Sequence, residues 1–79
     1  MNLHSVCSIF DKKTGLYGSP VTVVHVGEAV REFDALKRDK GSKIEKNPED
    51  FDLMHIGHFD VTKGVIHNLD HPVTLASGV

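Results

Sequence analysis

The chain has 79 residues, with nine Lys and Arg against eleven Asp and Glu, for a formal charge of −2 with six His uncounted. At 39% hydrophobic residues, with four Phe, one Tyr and no Trp, it reads as one lean globular domain over residues 1–79; it is not disordered, and no run approaches the roughly 18 apolar residues of a membrane span. The acidic balance argues against a dedicated basic nucleic-acid coat, and the single cysteine, Cys7, excludes an intramolecular disulfide.

Residues 3–10, LHSVCSIF, are apolar-rich and predict a first strand. The start, MNLHSVCSIFDKK, lacks a basic region followed by an apolar run, so no signal peptide is expected and the cytosol is the default. DKKTG (11–15) predicts a turn, with Asp11 accepting local N–H groups and Gly15 taking a positive φ. Leu16 and Tyr17 resume the strand, Gly18, Ser19 and Pro20 interrupt it, and VTVVHV (21–26) continues it.

GEAVREFDALKRD (27–39) is the one convincing helix. Ala29, Phe33 and Leu36 recur at helical spacing, and Val26, Val30 and Lys37 extend the stripe. Glu28 near the start and Lys37, Arg38 and Lys40 near the end complement the helix dipole, Asp34 and Arg38 stand at i, i+4 for an ion pair, and Gly41 is a stop. NPED (47–50) predicts a cap, a first-turn proline and a single helical turn.

Residues 51–60 read as a strand with apolar residues on both parities: Phe51, Leu53 and Phe59 on one, Met54 and Ile56 on the other. A central strand covered on both faces explains this, and so does a bulge at Gly57. VTKG then turns, VIHNL returns, and HPVTLA adds an edge strand that tolerates Pro72. FDKKTGLY (10–17) and FDVTKGVI (59–66) share Phe-Asp, three residues, Gly and two apolar residues, which reads as two hairpins solving one turn in the same way.

The expected fold is α+β: a small antiparallel sheet of four to five strands with one main helix packed on one face. Phe33 and Leu36 are expected against Val6, Val23, Ile56 and Phe59. A thin core and an exposed sheet edge further predict a homodimer across a two-fold axis.

His55-Ile56-Gly57-His58 spells the nucleotide-binding signature of class I aminoacyl-tRNA synthetases. In those ligases the motif follows the first strand of a nucleotide-binding sheet and opens a helix. Here it falls within a strand, in a chain too short for such a sheet, so the match is one of spelling. His55, His58, His67 and His71 lie on segments that one hairpin brings together, and imidazoles suit zinc and copper. On a regular strand, however, His55 and His58 diverge unless Gly57 is bulged, so surface histidines are the expectation, with no metal and no cofactor. Cys7 reads as a small buried hydrophobe, the carboxylates have turn and capping roles, and no phosphate loop is present. No enzyme is expected.

Several elements together resemble the small nonstructural protein of gokushovirus-type microviruses, which are single-stranded DNA phages. They are Ser5-Val6, Phe10 to Gly15, Tyr17-Gly18, Pro20, Gly27, Ala29, Arg31, Phe33, Pro48 to Phe51, Leu53, Ile56-Gly57, Phe59-Asp60, Gly64 and Ile66. The most specific part is PEDF-L--IG-FD, and it leaves both flanking histidines outside the pattern. Val21 and Met54 stand where aromatics are common in that family, and Asn47 where His is common, so little base stacking is expected. The resemblance implies a nonstructural phage protein of the host bacterial cytoplasm, associated with viral DNA replication and the switch from duplex to single-strand DNA synthesis.

Residues 37–46 carry five cations against Asp39 and Glu45, a net +3 inside an acidic chain. The residues expected to meet the phosphate backbone of single- or double-stranded DNA are Arg31, Arg38, Lys40, Lys43 and Lys46, with Lys12 and Lys13 as outliers. Arg31 and Arg38, seven apart, share a helix face away from Phe33, and Lys40 to Lys46 are expected to follow in a flexible loop. Two other classes compete: an adaptor for phage replication or capsid proteins without DNA contact, and a metal-dependent module built on the histidines.

Overall fold

A computed structural model describes residues 2–79. β1 (Leu3–Asp11) and β4 (Phe51–Asp60) pair antiparallel down the middle of one five-stranded sheet. β5 (Val65–Ser77) flanks β4, while β2 (Leu16–Tyr17) and β3 (Val21–Val23) share the other side of β1. Gly18, Ser19 and Pro20 separate those two short strands, yet the Gly18 N–H still donates to the Ile9 carbonyl at 2.8 Å. That edge is kinked rather than ended.

The α+β expectation is corrected. Strands hold 47% of the residues and helical turns 26%, and the sheet curls into an antiparallel half-barrel with one main helix, so the molecule is mostly β. The last two predicted segments are one thirteen-residue strand, β5. Pro72 does not break it, because residues 69–72 bulge opposite Ile56: His55 pairs with Val73 and Gly57 with Asn68. Ile56 is also the extra residue against β1, where Val6 pairs with Gly57 and Cys7 with His55. Bulges add twist and bend a sheet. They also account for the mixed parity of residues 51–60, with the inserted residue one position before Gly57.

α1 (Val26–Arg38) starts where the Glu28 carboxylate accepts the His25 N–H at 3.2 Å. Asp34 pairs with Lys37 at 3.5 Å rather than with Arg38, and the same ammonium lies 5.9 Å from the Phe33 ring and donates to the Ser77 carbonyl at 3.4 Å. α2 (Lys43–Lys46) and a 3-10 turn (Pro48–Asp50) lead into β4, and among the described residues no helix is long and apolar enough to cross a membrane.

The core joins Ala29 and Phe33 to Cys7, Leu53 and Ile44, with Val23 packed beside them. Burial in this apolar setting pushes the Cys7 thiol pKa up. Leu36 is not in this core: it is 37% exposed. Val6 is buried, at 4% exposed, but like Ile56 and Phe59 it does not join the cluster around α1. The reason is register. Ile9 pairs with Leu53 and Cys7 with His55, so these positions face the helix, and the next residues along each strand face away.

The two related hairpins superpose in their bonding. The Asp11 carboxylate accepts from Lys13 and Thr14 N–H at 2.9 and 3.4 Å, and the Asp60 carboxylate from Thr62 and Lys63 at 2.9 and 3.2 Å. Gly15 and Gly64 each donate to their aspartate carbonyl at 2.8 Å, with φ of 75° and 67°.

Candidate nucleic-acid interface

The cationic strip begins on the solvent side of α1 and continues through α2. Arg31 and Arg38 are exposed, two turns apart on that helix, and Lys40, Lys43 and Lys46 are exposed beyond it. The three ion pairs among the described residues join Lys12 to Asp52, Lys13 to Asp50 and Lys37 to Asp34. Arg31, Arg38, Lys40, Lys43 and Lys46 are in none of them.

The expected flexible loop is instead a capped turn of helix. The Ser42 hydroxyl donates to the Leu36 carbonyl at 2.6 Å, closing the end of α1, and accepts from the Glu45 N–H at 3.0 Å, opening α2. Ile44 is buried in the core and anchors this turn. Lys43 and Lys46, three apart, are thereby held on neighbouring positions of one short helix. Sequence reasoning missed Ser42, although Ser42-Lys43-Ile44-Glu45 spells the Ser-x-x-Glu pattern of a helix start.

Lys12 and Lys13 sit apart from that strip, in the first hairpin turn. The Lys12 ammonium lies 3.6 Å from an Asp52 carboxylate oxygen that is buried and has no hydrogen-bond partner. Lys13 reaches Asp50 at 4.0 Å and is far more exposed. A buried carboxylate without a partner is costly, so Lys12 is tied to the protein's own charge. An open groove of about 510 Å³ runs between this hairpin and α2, lined by Thr14, Leu16, Tyr17, Ser42, Lys43 and Phe51 among others. It brings the hairpin up to the cationic strip at Lys43.

The histidines are differently arranged. The bulge at Ile56 puts His55 and His58 on one face, and their rings meet edge to face at 4.9 Å. His58 also pairs across strands with His67. Even so, among the described residues no three ligand-type side chains converge on a point that a metal ion would occupy. The His55 Nε2 is already engaged with the Gly57 carbonyl at 3.0 Å.

Residues 4–79 match the family described as Phage ORF5 protein. Over 68 residues the chain is 38% identical to Protein ORF5 of Chlamydia phage 1, an alignment that covers 80% of this chain and 70% of that protein. No solved structure matches.

Proposed function

The chain belongs to the phage ORF5 protein family, and from that membership we propose a non-enzymatic, nonstructural protein of the host bacterial cytoplasm that is associated with viral DNA replication. It binds DNA weakly through phosphates, with little sequence preference, and helps the switch from duplex to single-strand synthesis. The observation that carries this reading is the strip itself. Five exposed cations outside any ion pair lie on one continuous, capped segment of a chain whose overall charge is −2.

Each phosphate contact releases counterions, so affinity falls with salt. For about three to five contacts, the slope of log affinity against log salt on single strands is about −2 to −3.5. Fluorescence anisotropy with labelled single- and double-stranded oligonucleotides across a salt series measures it. Reversing charge at Lys40 and Lys43 weakens binding on both while circular dichroism stays unchanged. If wild type binds neither DNA at tens of micromolar and low salt, the DNA reading fails.

An adaptor for replication or capsid proteins then takes its place. Pull-down from infected cells with and without nuclease separates the two readings.

A further inference from the structure

The open groove of about 510 Å³ between the first hairpin and α2 has a largely apolar lining. Register sets Leu16, Asp11 and Phe51 in one row across the sheet, on the side that carries α1. Leu16 lines the groove from the hairpin and Leu36 from the last turn of α1. They are 68% and 37% exposed, so two leucines stand partly in water on the walls of one groove.

We infer that this groove takes an unpaired base of a DNA single strand, while Lys43 at its rim and Lys40 and Lys46 on either side hold the adjoining phosphates. The inference rests on the DNA reading above and narrows it to single strands.

The first argument is charge. Lys43 lines the groove, is exposed and takes part in none of the ion pairs among the described residues. The carboxylate that also lines the groove, Asp11, is turned into its own hairpin, where it accepts from the Lys13 and Thr14 N–H groups at 2.9 and 3.4 Å. The occupant that satisfies such a site has an apolar body with a negative charge beside it. A nucleotide is that combination, with a flat base next to a phosphate. The exposed cations at 38, 40, 43 and 46 also favour a chain that carries one charge per unit over a peptide with scattered carboxylates.

The second argument is hydrogen bonding. The Gly18 N–H donates to the Ile9 carbonyl at 2.8 Å, and the Gly18 carbonyl accepts from the Ser8 hydroxyl at 2.7 Å. The Thr14 hydroxyl accepts from the Leu16 N–H at 3.3 Å, and the Ser42 hydroxyl is engaged with both Leu36 and Glu45. The polar groups along the groove are thus committed to the protein itself. They leave apolar contact as the means of holding a base, and such contact tolerates any base because each has an apolar face.

The third argument is access. A groove of this volume falls within the range of about 300–1,000 Å³ typical of small-molecule sites. Bases in a duplex are paired and stacked, and drawing one out costs unstacking and unpairing. A single strand presents its bases without that cost.

Fluorescence anisotropy of the full chain at low salt tests the inference with three labelled probes of equal length: oligothymidine, an abasic single strand, and a duplex. Wild type is expected to bind oligothymidine about five- to tenfold more tightly than the abasic strand, the effect of about one base contact. The salt slopes on those two strands are expected to be equal, because the phosphate contacts are the same. Leu16→Ser lowers affinity for oligothymidine about fivefold and leaves the abasic strand and the duplex unaffected. If Leu16→Ser fails to fold, Leu36→Ala makes the same discrimination from the other wall. Lys43→Glu weakens binding to all three probes. Equal affinity for oligothymidine and the abasic strand overturns the groove while the DNA reading stands. So do groove variants that leave oligothymidine affinity intact or that weaken all three probes alike. A wild type that binds none of the probes overturns both, and leaves the groove to an acidic peptide.

Discussion

His55 and His58 touch edge to face at 4.9 Å, although they stand three apart on a strand. On a regular strand, that spacing sends side chains to opposite faces. Ile56, the extra residue against β1, resets the alternation between them.

This proximity makes zinc the natural control. With no three ligand-type side chains converging among the described residues, adding zinc or a chelator leaves the thermal melting midpoint unchanged. A midpoint that rises with zinc would show the imidazoles acting as ligands, since anything bound to the folded state alone stabilises it.

Phe33 and Leu36 should separate sharply under truncation. Phe33 is 1% exposed and closes the core, so Phe33→Ala costs about 3–5 kcal/mol. Leu36 sits at the rim, 37% exposed, and Leu36→Ala costs about 1 kcal/mol or less, because much of its surface is already in water. Chemical denaturation of the two variants measures the difference, and equal losses would mean that α1 is rotated from its described face.

Ser42→Ala removes two hydrogen bonds at once and costs about 1–2 kcal/mol. It changes no charge. If the cations bind DNA as a preorganised strip, this variant also lowers DNA affinity while leaving the salt slope unchanged. Unaltered affinity would show that the capped turn is irrelevant to binding.

Lys12 and Lys13 are adjacent but should behave differently. Lys12→Ala strips a buried Asp52 oxygen of its nearest countercharge and costs about 1–3 kcal/mol. Lys13→Ala loses an exposed contact at 4.0 Å and changes stability by about 0.5 kcal/mol or less. Urea melts of both variants, and of Asp52→Asn to test relief of the orphaned charge, check the assignment.

How far the sequence reveals this molecule depends on how local each signal is. Turns, caps and the helix stripe depend on a few neighbouring residues, and these were legible: Asp11 with Gly15, Asp60 with Gly64, Pro48 in its single turn, and Ala29 with Phe33 on the buried side of α1. Pairing register is not local. Nothing in residues 3–10 says whether Val6 or Cys7 faces the helix; that depends on Ile56 bulging against them from far along the chain. The same bulge, opposed by residues 69–72, merges two predicted strands into one and curls the sheet. At the candidate site, the cations were legible as a cluster of charge. That Lys12 is committed to Asp52 was not, because their contact crosses forty residues of sequence.

The central pairing has a consequence for how the chain reaches this state. Cys7 pairs with His55 and Leu3 with Asp60, so the middle of the sheet closes only across most of the chain. Such long-range closure makes folding slow, in milliseconds to about seconds rather than microseconds, whatever the final stability. During synthesis the order is fixed. β1 and α1 emerge from the ribosome before β4 does, and until then Phe33 has neither Leu53 nor the completed sheet to pack against. Until residue 60 emerges, the early half exposes apolar surface that the completed sheet later covers, the state in which chains are most prone to associate.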